Sequence, residues 1–253
     1  MIHRYLTSAA GYLAQPLRGI GVPAFMGGRP QLHDLRLVDP RYERLKTLLD
    51  LTAAAALLVL LAPLMAFIGL LVKLTSSGPV LYSQVRVGRD GRAYRIYKIR
   101  TMYHNCEKVS GPQWATQNDP RVTPLGRFLR AAHLDELPQL FNILKGEMSL
   151  VGPRPERPEF VRKLDAAIPR YRTRLEVLPG VTGLAQVYLP PDTDLDSVRR
   201  KVAFDCYYIQ QKSIWLDLRL IVITALQVIG VPFPVSRKLF GFPKPETILN
   251  WHE

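Results

Sequence analysis

The chain has 253 residues, enough for one sizeable core or two small ones, and a formal charge of +13 that implies an anionic partner such as nucleic acid, acidic lipid or a phosphorylated substrate. Its two cysteines, Cys106 and Cys206, stand far apart without metal-type spacing, which suits free thiols in a reducing compartment. Zinc patterns, a Walker loop, a glycine-rich dinucleotide fingerprint and internal repeats are all absent, so those classes are set aside.

Residues 1–40 hold Pro16, Gly19, Gly21, Pro23, Gly27, Gly28 and Pro30, a density that breaks any long helix and predicts an irregular leader. Leu51 to Val72 then runs for 22 residues without a charged side chain, between Asp50 and Lys73. As a straight helix it would reach roughly 33 Å, about the thickness of a bilayer's hydrocarbon core. Pro63 lies near its centre and, lacking an amide hydrogen, predicts a kink. A spanning helix normally keeps its excess Lys and Arg on one side. Here the flanks tie, with Arg36, Arg41, Arg44 and Lys46 before the run and Lys73, Arg86, Arg89 and Arg92 after it. That balance favours a re-entrant membrane helix over 41–75, broken at Pro63, which enters one leaflet and returns. A spanning helix and a buried soluble helix are the alternatives.

Val80 to Val87 and Ala93 to Ile99 are β-rich runs around a turn containing Asp90-Gly91 and predict a β-hairpin. Residues 104–120 read as a polar loop. Thr123 is a helix cap and Pro124 suits a first helical position, with Leu125, Phe128 and Leu129 on one face. Pro138 is tolerated in a first helical turn, which places Asp135 and Glu136 at a helix start and lets Leu137, Leu140, Phe141 and Leu144 continue to a stop at Gly146. Val151-Gly-Pro-Arg-Pro155 predicts a rigid turn that holds Arg154 in one direction, and Pro179 to Gly183 a further turn. Helices follow over 197–211 and 214–229. The second is apolar from Leu220 to Ile229, too short to span, and suited to an interface or a core. The tail over 231–253, with Phe233, Phe240, Phe242 and Trp251 among prolines and basic residues, is either another surface contact or a plain surface tail.

Adjacent acids at a helix start, with arginines on both sides in sequence, suit chemistry on phosphate. A helix N-terminus favours ionised Asp135 and phosphate oxygens. An ionised carboxylate is a competent nucleophile once cations neutralise an anionic target, and Lys98, Arg100, Arg130, Arg154 and a divalent metal are the candidates to do so. Plainer roles stand beside these. Asp135 is equally an N-cap, Glu136 a dipole partner, the arginines a solvated or lipid-facing surface, Lys98 and Arg100 an exposed strand face, and His133 a structural or exposed side chain.

Taken together and in this order, the broken apolar helix, Gly78-Pro-Val-Leu-Tyr-Ser-Gln84, Tyr97-Lys-Ile-Arg-Thr-Met102, Leu134-Asp-Glu-Leu-Pro-Gln-Leu-Phe-Asn142, Leu144 to Pro155 and Pro179 to Val187 resemble the bacterial sugar transferases, monotopic polyprenyl-phosphate sugar-1-phosphate transferases, over roughly residues 42–230. The resemblance implies an α+β, mainly helical, membrane-associated protein with a re-entrant helix, interfacial amphipathic helices and a catalytic domain over 76–230. It also implies an active site at the cytoplasmic face of the bacterial inner membrane. Asp135 matches the nucleophile that takes a phosphosugar from a UDP-sugar and releases UMP, before polyprenyl phosphate accepts it. Glu136 matches the acid that activates or orients, with Mg²⁺ assisting on the Asp135–Glu136 pair, and Arg130 and Arg154 match phosphate-binding arginines. Lys98 and Arg100 match the basic end of the hairpin. The implied partners are the UDP-sugar, polyprenyl phosphate and membrane lipids, with a homodimer and downstream glycosyltransferases as further candidates and no nucleic acid. Two features depart from the family. Ala62-Pro63 replaces the frequent Ser-Pro break, and the short leader suggests a near-minimal catalytic form. A nucleotide-sugar phosphohydrolase and a non-catalytic basic membrane adaptor are the competing readings.

Overall fold

The computed structural model describes residues 39–106 and 119–249. The predicted leader up to residue 38, the central part of the polar loop and Trp251 lie outside the described residues.

The predicted apolar segment forms one helix, Pro40–Thr75, of 36 residues with a mean hydropathy of 2.7 in its most apolar window. Asp39 caps it by accepting from the Arg41 amide at 2.9 Å, Pro40 fills the first turn, and Lys73 sits in the last. The helix continues through Pro63 instead of ending there. Pro63 has no amide hydrogen to offer the carbonyl one turn earlier, so the ladder loses one bond in mid-helix.

Two stretches of this helix touch the rest of the fold. Near its start, Asp217 accepts from Tyr42 Oη (3.0 Å) and Lys46 Nζ (2.8 Å), and Asp50 accepts from the Leu150 amide at 3.2 Å. Ala54 then packs among Tyr94, Ile96, Leu140, Ile143 and Met148. Towards its end, Ile68 and Val72 pack on Ile99 and Leu129. Between these anchors Val59, Leu60 and Phe67 are exposed.

The hairpin forms as the alternation predicts. Strands β1 (Leu81–Val87) and β2 (Ala93–Ile99) pair antiparallel with Leu81 opposite Ile99, and Asp90 and Gly91 both take positive φ in the turn. The helix Pro124–Ala131 is capped by Thr123, whose hydroxyl accepts from the Gly126 amide at 2.9 Å. Gly126 lies so close to the Thr101 carbonyl that a Cβ would collide with backbone, which lets this helix seat on the end of β2. Of its predicted apolar face, Leu129 is buried and Phe128 is 62% exposed, because Phe128 is the next residue round the helix and falls outside the contact.

A second, small sheet escaped the sequence reading. Where turns were expected around Val151 and Pro179, β3 (Ser149–Val151) and β4 (Gly180–Thr182) pair in parallel. Each strand has three residues, too short to carry a period-2 pattern. Gly152 and Gly180 approach so closely that neither position has room for a side chain. The helices Pro158–Ala167 and Leu184–Tyr188 were likewise unforeseen.

Two predicted helices follow, and the segment read as a surface tail adds the short helices Phe233–Leu239 and Pro245–Leu249, burying Phe242 and Ile248 in the core instead of lying wholly on the surface. Leu195–Gln211 begins with a capping box between Asp194 and Ser197, and Ile214–Val228 is capped by Ser213. The second is two-faced. Leu220 and Ile223 are fully buried against Leu184, Phe204 and Tyr208, while Trp215, Leu218 and Val222 are exposed.

Candidate active site

Strand β2 delivers Lys98, and the chain after it delivers Arg100 and Thr101. Helix Pro124–Ala131 carries Arg130 in its last turn, after which His133 takes the left-handed conformation (φ 54°) and turns the chain into a 3-10 helix, Leu134–Gln139. Asp135 and Glu136 lie in the first turn of that helix and are only 6% and 7% exposed. A short α-helix, Leu140–Leu144, follows, and Gly146 (φ 71°) stops it as predicted.

The two acids occupy opposite electrostatic situations. Glu136 Oε1 accepts from Lys98 Nζ at 2.6 Å and from Arg154 Nη2 at 2.6 Å, while Oε2 has one long contact at 3.4 Å to Arg154 Nη1. Burial alone would raise the Glu136 carboxyl, but Arg154 and Lys98 override it and hold it well below the usual carboxylate range. Arg154 is in turn held firmly protonated by Glu136. Asp135 makes no hydrogen bond or ion pair among the described residues. Burial pushes its carboxyl up, neighbouring Glu136 adds to this, and Lys98, Arg130 and Arg154 partly offset it. The side chain therefore does not cap the helix.

Arg130 is steered by Thr101, to which no local pattern points: the Arg130 Nε donates to Thr101 Oγ1 at 2.9 Å. The site thus gathers Lys98, Arg130 and Arg154 around two carboxylates, an excess of one positive charge suited to a phosphate. Arg100 is not brought into this group. Its Nη2 donates to the Ser76 carbonyl at 2.9 Å and its Nη1 to the Ser77 carbonyl, so it closes the end of the long helix. Period 2 puts Lys98 and Arg100 on one strand face, but only the packing of the helix end decides which acceptor each one meets. His133 is exposed and contributes the backbone turn.

Asn142 also went unassigned. It is fully buried, and its amide accepts from Tyr97 N at 3.1 Å and donates to the Arg95 carbonyl and Glu147 Oε2, both at 2.7 Å. It ties the helix after the acid pair to the strand that carries Lys98. A polar residue inside the apolar run Leu137 to Leu144 is the signal that marks it.

Among the described residues no cluster of three or more His, Cys, Asp or Glu converges on one point. Two adjacent carboxylates still fit Mg²⁺, which is commonly held by one or two protein carboxylates with phosphate oxygens and water completing the shell. Asp135 and the lightly engaged Glu136 Oε2 are the oxygens free to take that part.

The profile of a family described as bacterial sugar transferase matches residues 41–231, three quarters of the chain. The chain belongs to the bacterial sugar transferase family. Its relatives include the UDP-N-acetylgalactosamine-undecaprenyl-phosphate N-acetylgalactosaminephosphotransferase of Aeromonas hydrophila, 46% identical over 78% of this chain and 46% of that protein. The UDP-glucose:undecaprenyl-phosphate glucose-1-phosphate transferase of Klebsiella pneumoniae is 42% identical over 82% of this chain and 43% of its own length. The enzyme of the same name from Caulobacter vibrioides is 43% identical over 80% of this chain and 78% of its own. The chain thus spans under half the length of the first two.

The contrast between the acids predicts opposite stability effects. Because the fold favours the neutral form of Asp135, keeping it ionised at pH 7 costs stability, and Asp135→Asn removes that cost and raises the melting temperature. Glu136→Gln leaves Lys98 and Arg154 facing each other without their shared anion and destabilises, by less than a fully buried pair would because the Arg154 side chain is 39% exposed and solvent screens it. Thermal unfolding of both variants in detergent measures the two signs.

Proposed function

We propose that this chain transfers a sugar 1-phosphate from a UDP-sugar to undecaprenyl or another polyprenyl phosphate, through a covalent intermediate on Asp135. The observation that carries the reading is the unpaired, buried Asp135 carboxylate beside a Glu136 whose Oε1 is held by two cations. An anion with no internal partner keeps its lone pairs for an electrophile, and Lys98, Arg130 and Arg154 supply the charge that lets it approach phosphate. In the first half-reaction an Asp135 oxygen bonds to the sugar-proximal phosphorus, the bond from that phosphorus to the bridging oxygen breaks, and UMP leaves with the electron pair. In the second, an oxygen of the polyprenyl phosphate bonds to the same phosphorus and the Asp135 carboxylate departs. Glu136 fixes Lys98 and Arg154 in place during both. Mg²⁺ on Asp135, Glu136 and the diphosphate would add Lewis-acid neutralisation of the leaving phosphate.

The membrane reading follows from the same surfaces. The long helix is anchored to one body over Tyr42–Ala54 and through Ile68 and Val72, with Ser76 and Ser77 just beyond its end bonded by Arg100, while Val59, Leu60 and Phe67 between them face outward. Two ends on one body favour a helix that dips into a leaflet and returns, since a spanning helix must carry one end to the far side. Trp215, Leu218 and Val222 on Ile214–Val228, with Val235 and Leu239 on the helix Phe233–Leu239, supply a further exposed apolar surface suited to interfacial helices at the cytoplasmic face of the inner membrane. The product is then a polyprenyl-diphosphate-sugar for assembly of a surface glycan such as an exopolysaccharide.

Incubation of the purified chain with UDP-sugar, Mg²⁺ and polyprenyl phosphate is expected to release UMP. Asp135→Asn should abolish that release, and an unaffected Asp135→Asn enzyme would defeat the reading. Sustained turnover with water as the only acceptor would point instead to a phosphohydrolase. The raised carboxyl of Asp135 also sets the acid limb of the pH profile. UMP release should fall as pH drops through a value above that of an ordinary aspartate, because only the ionised form attacks. Arg130→Met removes a cation that favours ionisation and should move that limb to higher pH, as initial rates across pH will register.

A further inference from the structure

The turn that presents Arg154 is stiffened by its prolines but draws its hydrogen bonds from other elements. Pro153 and Pro155 have no amide hydrogens, so the turn has few donors with which to satisfy its carbonyls. Those carbonyls are bonded from outside, one after another. Pro153 O accepts from Gly180 N at 3.0 Å, Arg154 O from Arg174 Nη2 at 2.8 Å, Pro155 O from Arg86 Nη1 at 3.1 Å, and Glu156 O from Val87 N at 2.9 Å. A cleft open to solvent adjoins the turn, lined by Val87, Pro153, Arg154, Glu156, Tyr171 and Arg174 among others.

Arg174 is itself rigidly held. Its side chain and that of Asp205 are each 2% exposed and form an ion pair at 2.8 Å. Its Nε donates to Asp205 Oδ2 at 3.0 Å and its Nη1 to Tyr171 Oη at 3.1 Å. All three nitrogens of the fork are therefore engaged, and one of them ends on the carbonyl of the residue that grips Glu136. A continuous chain of contacts runs Asp205, Arg174, Arg154, Glu136, Lys98.

We propose that Arg174 is a positioning residue for the transfer reaction, fixing the backbone of Arg154 so that its guanidinium stays on Glu136 and at the phosphate-binding side of the acid pair. This rests on the functional reading above. It assigns a buried ion pair on the opposite side of the Pro-Arg-Pro turn to the geometry of the active site and not to core stability alone. Lysine is no substitute, since one ammonium cannot reproduce a planar fork that serves a carboxylate, a phenol and a carbonyl.

The test uses Arg174→Lys and the double variant Arg174→Met/Asp205→Leu, which removes the buried pair without stranding a charge. Both are measured as full chains in detergent. The double variant should raise KM for the UDP-sugar in UMP release about tenfold, the scale of one hydrogen bond to a charged group, and Arg174→Lys should fall between it and the parent. Hydrogen exchange of the segment 150–157 should accelerate about tenfold in the double variant, as expected when a local anchor is lost, with the hairpin unchanged. A KM within about twofold of the parent, with only the active fraction reduced, overturns the proposal and leaves the pair a structural one. Should the double variant fail to fold, Arg174→Lys is judged by the same KM criterion. Absence of UMP from the parent chain would defeat the functional reading instead, and the exchange of segment 150–157 then decides the positioning role, unchanged protection refuting it.

Discussion

Two cations on one carboxylate organise this site. Glu136 Oε1 takes both Lys98 Nζ and Arg154 Nη2 at 2.6 Å, and these three side chains come from a hairpin strand, a 3-10 helix and a proline-flanked turn far apart in sequence. Joining a buried Glu136 to a largely buried Lys98 and a partly exposed Arg154 makes the arrangement stiff, because the buried charges depend on one another for compensation. The same grip leaves Asp135, one residue earlier, without a partner. Its position is set by the helix, and its charge is tolerated only through the field of cations committed mainly to its neighbour. One acid serves as scaffold while the other is kept available.

The rest of the fold maintains that grip from three sides. Asn142 binds the strand behind Lys98 to the helix that follows the acids. Thr101, whose carbonyl lies against Gly126, directs Arg130. The buried pair of Arg174 and Asp205, together with Arg86, clamps the turn that carries Arg154. The long apolar helix joins this framework at its end, where Arg100, two residues beyond Lys98, binds the carbonyls of Ser76 and Ser77. The seating of this helix and the placing of Lys98 are thus linked through three consecutive residues, Lys98, Ile99 and Arg100.

Much of this could be read from the sequence where the cause is local. The hairpin turn at Asp90-Gly91, the caps at Thr123 and Gly146 and the long apolar helix follow from residues within a few positions of each other. Asp135, Glu136 and Arg154 were visible as chemistry because adjacent acids and a Pro-Arg-Pro turn are locally unusual. What escaped depends on distant partners. Strands of three residues such as Ser149–Val151 have no periodicity to display, and their pairing rests on glycines meeting across a loop. Arg100 and Arg174 look like any other basic residue of a chain with charge +13, and only the carbonyl each one reaches tells them apart from surface arginines. Thr101 and Asn142 matter through single hydrogen bonds that cross the fold, which no spacing rule encodes.

The central claim is that the unpaired carboxylate is the one that bonds to phosphorus. Rapid-quench mass spectrometry of the chain mixed with UDP-sugar in the absence of the lipid acceptor examines this most directly. The account predicts a phosphosugar adduct mapped to Asp135 and lost on addition of polyprenyl phosphate. An adduct on Glu136 or on another residue, or UMP release with no adduct on the protein, would contradict it.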